Sequence, residues 1–360
     1  RMGGLGLAFP TSVIHGMLMS IGVIIFAKQI HVGLGVTPGA KSIFGLLGEI
    51  PHSFSNMNPE IALIGVASLL IVVLLGHVKN PYLKKIPAPL VAVIFGVAMG
   101  MYFDIAHEHM VRSFMGDSTV GPKFLLNVPE NIRDAIAFPD FKMISHPAFW
   151  KHAIAIALVG TIESVLSAYA VDKLDSYKRI SNLNRELWSK GICNTVGGAI
   201  GAVPVIAEIV RSSANVSNGA KTRWANFFHG CFLLLFVVLF PAMLHRIPLS
   251  SLAAILVVTG YRLGNPKQLG HAWEMGWDQA LVMFGTLLMT LATDLLVGVA
   301  FGFVLETTMN VFRARSFTAL FGLRWKEESR AATTEFTIAG PLVSRSEERR
   351  VGKECLRLCR

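Results

Sequence analysis

Apolar runs long enough to cross a lipid bilayer recur along this chain, and no other feature restricts its fold as strongly. Two of them are "IALIGVASLLIVVLLG" (Ile61 to Gly76) and "FFHGCFLLLFVVLFPAML" (Phe227 to Leu244). The hydrocarbon layer takes about 20 helical residues, and within it backbone donors and acceptors must be satisfied internally. Only 16% of the 360 residues are charged, below the quarter or so usual in soluble domains. The reading is an all-α polytopic membrane protein.

A net charge of +10 raises the question of a nucleic-acid partner. The basic residues gather in short loops between apolar runs: Lys79, Lys84 and Lys85; Lys173, Lys178, Arg179, Arg185 and Lys190; Lys221 and Arg223; Arg262 and Lys267; Arg313 and Arg315. Alternating spans put all five groups on one side. That is the positive-inside pattern, so these loops are expected to be cytoplasmic, and no nucleic acid is expected. The long polar stretch from Asp104 to His146 falls on the opposite side. Cys193 and Cys231 sit in apolar segments, where cysteine acts as a small hydrophobe. With Cys355 and Cys359 they form no metal or disulfide spacing.

Spans are predicted at Pro10 to Lys28, Ile61 to Gly76, Ile86 to Phe103 and Phe149 to Val171, with a short amphipathic piece, "KSIFGLLGEI", after the first. Two short segments follow, Trp188 to Val203 and Val205 to Val216. Longer spans are then expected at Trp224 to Leu244 and Ile247 to Tyr261. The last pair, Gln279 to Thr293 and Leu295 to Phe312, is interrupted at "ATDLL". Beyond Arg315 the composition becomes soluble, and "TTEFTIAGPLV" (Thr333 to Val343) alternates like a β-strand. "RSEERRVGKEC" (Arg345 to Cys355) resembles a translated sequencing adapter, so residues 345–360 are read as a non-biological scar.

Between two short segments lies "GAIGAVPVIAEIVRSSANVSNGAKTR" (Gly198 to Arg223), which brings Pro204, Glu208 and Arg211 to membrane depth. Non-helical backbone is tolerated there only inside protein or beside a watery cavity. The glycines before Pro204 disfavour continuous helix, and proline suits the first helical position. Gly219 suits a C-terminal stop. The expectation is a half-helix from Val205 to Asn218 starting near mid-membrane. Its unpaired N–H groups would form an anion site, reinforced by Arg211 nearly two turns along. The alternative is that Arg211 pairs with Glu208 at i,i+3 or reaches the cytoplasmic surface.

In the fourth span Gly160, Glu163, Ser164 and Ser167 share one face at helical spacing. A carboxylate with hydroxyls a turn away can hold Na⁺ or, buried, carry a proton; otherwise it serves an interhelical hydrogen bond. Asp294 reads as a helix cap, Lys28 as a snorkelling side chain, and His107 and His109 as loop residues. No enzyme motif stands in a supporting context, so the chain is not expected to be an enzyme.

"PTSVIHGMLMSIGVIIFAKQIH", "GTIESVLSAYAVDKLDSYKRISNLNRELWSKGICNTVGGAIGAVPV", "RSSANVSNGAKTRWANFFHG" and "TDLLVGVAFG" resemble the bacterial SulP family of inorganic anion transporters, over about Phe9 to Arg315. The resemblance implies an inverted repeat of seven plus seven helices, with a core domain that moves like an elevator against a gate domain. A cytoplasmic STAS domain often follows. Residues 1–103 would then be the fifth to seventh helices, with the first four missing. Residues 104–148 would be an extracytoplasmic connection, 149–315 the second repeat, and 316–344 a linker and the first STAS strand. By the same resemblance Pro204 begins the tenth helix and the N–H groups of Val205, Ile206 and Ala207 face the anion, with Arg211 as the family's arginine. Glu163, with Ser167 and Glu208, would serve cation coupling. The chain departs from many relatives at Ile206, Ala207, Glu208 and Val210, where small or hydroxyl residues are usual. Glu208 would repel an anion unless protonated or paired with Arg211.

The expected function is secondary transport of a small inorganic anion, sulfate or bicarbonate, by Na⁺ or H⁺ symport and with no other cofactor. The alternatives are a nucleobase:cation symporter of the same fold and a passive anion channel. The expected partners are the anion, the bilayer of the inner (plasma) membrane and a second copy of the chain.

Overall fold

The computed structural model describes residues 10–78, 80, 86–113, 116–128, 136–175, 177–208, 211–212, 215–216, 219–265, 270, 273–274, 276–314, 324–330 and 333–339. The first helix, α1 (Thr11–Gly33), is followed by the amphipathic α2 (Ile43–Ser55), then α3 (Pro59–His77) and α4 (Ala88–Tyr102). A hairpin of β1 (His109–Ser113) and β2 (Gly116–Val120) comes next. After it run α5 (Pro147–Leu174), α6 (Leu183–Ala199), α7 (Trp224–Leu239), the short α8 (Pro241–Leu244) and α9 (Leu249–Leu263). The chain continues through α10 (Trp277–Ala292) and α11 (Leu295–Ala314) to a second hairpin, β3 (Arg324–Arg330) with β4 (Thr333–Ala339).

Among the described residues, four helices are long and apolar enough to span a membrane: Thr11–Gly33, Pro59–His77, Pro147–Tyr169 and Leu295–Phe312. Four shorter apolar helices accompany them. Local chemistry sets their starts. Asn58 Oδ1 accepts from the Ile61 N–H at 3.3 Å, Asn182 Oδ1 from Arg185 at 3.1 Å and Asp294 Oδ1 from Val297 at 2.9 Å, each satisfying an orphan donor of a first turn. The capping role read for Asp294 is therefore observed.

Several boundaries differ from expectation. α1 continues five residues past Lys28, to Gly33. α6 begins at Leu183, where Asn182 caps it, rather than at Trp188. The span expected from Trp224 to Leu244 breaks at Phe240, because the residue before Pro241 is held out of the helical region. The polar stretch after Asp104 contains the β1–β2 hairpin, paired from His109↔Val120 to Ser113↔Gly116. The strand expected at Thr333 is present as β4, with β3 as an antiparallel partner the sequence did not signal. The basic residues Lys79, Lys84, Lys85, Lys267 and Arg315 and the tail 345–360 lie outside the described residues.

Contacts divide the chain into two compact units, one of Arg1–Ser20 with Asn265–Arg360, the other of Ile21–Gly264. In the first, α10 and α11 meet through a matched pair of small-residue sites: a Cβ added to Gly302 would overlap Thr286 Oγ1, and one added to Gly298 would overlap Thr290 Oγ1. Close approach through small residues is how helices associate where no water-driven force separates them from lipid. A buried polar network joins the same helices to the start of α1. Ser12 Oγ donates to Gln279 Oε1, Gln279 Nε2 donates to Glu306 Oε1 at 3.1 Å, and Asn310 Nδ2 donates to the same oxygen at 3.1 Å.

In the second unit α1 crosses α9 at Gly22, where a Cβ would come within 2.5 Å of the Gly260 carbonyl oxygen. α2 is fastened to α1 through the fully buried His31, whose Nε2 lies 3.0 Å from the Leu46 carbonyl and Nδ1 2.7 Å from Ser53 Oγ. The β1–β2 hairpin seats on α3 and α4 through Ile61, Ile64, Ile105 and Val120, all 1% exposed or less. Burial of such side chains from water is worth about 1.5–3 kcal/mol each, which holds an otherwise marginal two-stranded hairpin. The chain beyond it is tied down twice. The Leu126 N–H donates to the Ile247 carbonyl at 2.9 Å, just before α9. The Ala137 N–H donates to the Ile200 carbonyl at 3.2 Å, just after α6. At the second tie Gly201 has φ of +80° and would bring a Cβ within 2.6 Å of the Ala137 carbonyl oxygen, so both conformation and space require glycine.

Candidate functional site

The segment after α6 leaves the helix at Ile200 and carries neither helix nor strand from Ala202 through Glu208; at Val205 a single side chain bonds both the N–H and the C=O, as an extended residue allows. This corrects the expectation that Pro204 opens a helix. Proline disfavours helical geometry at Val203, and the β-branched Val203, Val205 and Ile206 suit an extended chain. Helical hydrogen bonding starts one turn later, with the Ser212 N–H donating to the Glu208 carbonyl at 3.2 Å. Residues 211–212 and 215–216 are helical; 209–210, 213–214 and 217–218 lie outside the described residues. The stop at Gly219 is observed. Gly219 has φ of +91°, its N–H reaches the Val216 carbonyl at 3.0 Å and the Ala220 N–H the Asn215 carbonyl at 3.1 Å, the paired bonds of a Schellman motif.

Side chains, not vacancy, meet two of the three N–H groups assigned to an anion. The Val205 N–H donates to Asn194 Oδ1 at 2.6 Å, and Asn194 Nδ2 returns a bond to the Val205 carbonyl at 2.9 Å. The Ala207 N–H donates to Ser164 Oγ at 3.3 Å. The Ile206 N–H, between them, has no partner among the described residues. The Ile206 side chain rests over Gly160, where a Cβ would stand 3.4 Å from Ile206 Cγ2.

The extended segment therefore lies along the face of α5 that carries Gly160, Glu163, Ser164 and Ser167. Ser164 and Ser167 are 1% and 2% exposed, while Glu163 is partly buried. Arg211 stands in the first turn of the helix rather than two turns behind its start. Its Nε lies 2.5 Å from Glu208 Oε2, with the guanidinium largely exposed. Of the two sequence readings of Arg211, the i,i+3 pair with Glu208 is the observed geometry. Glu163 and Ser167 thus share the α5 face along which the segment lies, and Glu208 at the end of that segment is joined to Arg211.

Asn194 is the site residue that sequence reasoning missed. Its signal was an amide inside the glycine-rich "GICNTVGG" ahead of a helix breaker.

These features define a class: a multi-pass helical membrane protein whose polar centre is an interrupted helix beside a carboxylate-bearing one. The particular family follows from comparison. The model of the sulfate permease family matches residues 1–286, and the chain belongs to that family. It is 26% identical over 313 residues to the putative sulfate transporter YvdB of Bacillus subtilis, covering 86% of this chain and 56% of that protein. To the bicarbonate transporter BicA of a Picosynechococcus species it is 25% identical over 351 residues, covering 93% and 59%. The solved transmembrane domain of a cyanobacterial bicarbonate transporter BicA shares the fold, with a TM-score of 0.64 at 21% identity over 83% of this chain and 71% of that one. The chain spans 56–59% of the length of these two curated relatives.

Proposed function

We propose that the chain belongs to a secondary active transporter for a small inorganic anion of the sulfate or bicarbonate class. The observation that carries this reading is the family match over residues 1–286, together with relatives named for those two anions. The geometry supplies the chemistry. A helix that starts inside the membrane offers an electropositive end to an anion, and the N–H of Ile206, without a partner among the described residues, lies two residues ahead of Glu208, whose carbonyl accepts the first helical bond. Arg211 spends one of its five N–H donors on Glu208 and keeps the rest for the substrate. Pairing also removes the repulsion that Glu208 would otherwise exert on an anion.

Glu163 is the proposed coupling group, carrying a proton or, with Ser167 and Glu208, holding Na⁺ between oxygen ligands. A sodium ion there would offset two carboxylates next to the anion, so the two would bind favourably together. The transporter would work as a homodimer in the plasma membrane by elevator movement of the segment containing α5 and α6, with its basic loops in the cytoplasm and the β3–β4 hairpin as the start of a STAS domain.

The test is uptake of radiolabelled sulfate and bicarbonate into proteoliposomes holding the full chain, with Na⁺ and pH gradients imposed one at a time. Uptake of one anion that rises with one gradient is expected. Incorporated protein that takes up neither anion overturns the reading; uptake indifferent to both gradients replaces symport with passive conduction.

A further inference from the structure

The structure assigns a positioning role to Asn194: its side-chain amide stands in for a neighbouring strand and fixes which edge of the extended segment faces the anion. This rests on the anion-transport reading above and names how the site is held.

In an extended chain successive N–H and C=O pairs point to opposite edges, so residues i and i+2 share an edge. Val205 and Ala207 share one. Asn194 takes both the N–H and the C=O of Val205, at 2.6 and 2.9 Å, and Ser164 takes the N–H of Ala207 at 3.3 Å. With that edge occupied from α6 and α5, the N–H of Ile206 is turned to the other, where no described residue meets it. The two-bond ring with Val205 is the pattern a residue makes with its opposite number in an antiparallel sheet. Asparagine is the shortest side chain with an acceptor and a donor side by side, so it can copy that pattern where no strand follows α6.

Without the ring, the Val205 peptide is free to rotate about the segment's axis, and the Ile206 N–H loses its fixed direction. A donor aimed in advance binds more tightly than one that must be ordered on binding. Asn194 touches no substrate in this scheme; it acts through the backbone of Val205.

The substitution Asn194→Asp separates this role from simple packing. An ionised carboxylate accepts from the Val205 N–H but sets an oxygen against the Val205 carbonyl. Once protonated, it has the same shape and the same acceptor–donor pair as the amide. The experiment compares the unsubstituted parent chain, Asn194→Ala and Asn194→Asp in proteoliposomes, reading KM and Vmax for labelled sulfate between pH 5 and 8 and for labelled bicarbonate at pH 8. In parallel, hydrogen exchange is measured across Val203 to Glu208 and corrected for the intrinsic rate at each pH. Asn194→Ala is expected to raise KM about tenfold with a smaller change in Vmax, and to speed exchange at Val205. The Val205 carbonyl set against it disfavours the ionised aspartate and raises its pKa above the ordinary value near 3.9, so Asn194→Asp is expected to behave like the alanine variant at pH 8 and to recover toward the parent as pH falls to 5, in sulfate KM and in exchange. Parent uptake with KM and exchange unchanged in Asn194→Ala overturns the positioning role alone. An aspartate variant whose defect ignores pH overturns the two-bond mechanism. A parent that takes up neither anion overturns the transport reading, whatever exchange shows at Val205.

Discussion

His109 places its Nε2 3.0 Å from Glu60 Oε2 while its Nδ1 lies 3.0 Å from the carbonyl oxygen of His107. A carbonyl and a carboxylate only accept, so both ring nitrogens are used as donors and the doubly protonated ring fits the site. The bond to the His107 carbonyl, then the one to Glu60, raises the His109 pKa above its ordinary value, against a smaller opposing effect of burial. A raised folded-state pKa contributes stability that is complete below the ordinary histidine value near 6.5 and is lost as pH climbs through the folded value. The pair clamps the β1–β2 hairpin to the first turn of α3. Its amides are expected to be better protected at pH 6 than at pH 8, by about 0.2–1 kcal/mol given the partial exposure of both side chains. Hydrogen exchange across β1 checks this; Glu60→Gln should flatten the difference, and a slope that survives it would place the cause elsewhere.

The glycines of α11 yield a second prediction with an internal control. Gly302→Ala meets chiefly the hydroxyl of Thr286, with Thr286 Cβ at 3.1 Å, whereas Gly298→Ala also meets the backbone of Thr290 at 2.7 Å. Each substitution should destabilise the pair of helices by about 1–3 kcal/mol. Thr286→Ala should restore much of the loss in Gly302→Ala, while Thr290→Ala should do little for Gly298→Ala. Thermal unfolding in detergent measures both; equal rescue would contradict the backbone contact at Gly298.

Arg211→Ala removes a cation and also leaves Glu208 unpaired, so two effects on an anion add. KM for the transported anion should rise at least tenfold, a loss of about 1.4 kcal/mol. Glu208→Gln in the Arg211→Ala background should recover part of it. An unchanged KM in Arg211→Ala would take that arginine out of the site.

Glu163→Gln keeps the size of the side chain and removes its charge. Uptake driven by a Na⁺ or pH gradient should fall to the rate seen without that gradient, while binding of the anion persists. A gradient response that survives the substitution moves coupling away from α5.

The spans were legible because an apolar run of helical length has few alternatives in a bilayer, and Asp294 and Gly219 marked helix ends through chemistry confined to their own turns. The hairpin was not, because "HMVRS" and "GDSTV" owe their pairing to burial of Val120 against α3 and α4, which no local pattern encodes. Pro204 misled for a related reason. Proline at a first helical position is a sound local rule, but Asn194, eleven residues back, and Ser164, on another helix, supply the partners that make Val205 and Ala207 extended. Glu163, Ser167, Glu208 and Arg211 stand out as candidates by type and spacing; how the segment between them is oriented depends on contacts distant in sequence.

The chain between α4 and α5 is pinned at Leu126 to the residue before Pro248 and at Ala137 to the residue before Gly201. Between the pins a fully stretched polypeptide reaches at most about 36–40 Å, so this segment is a leash of finite length. With both backbone bonds kept, the α6 end and the α9 end can be separated by no more than that reach.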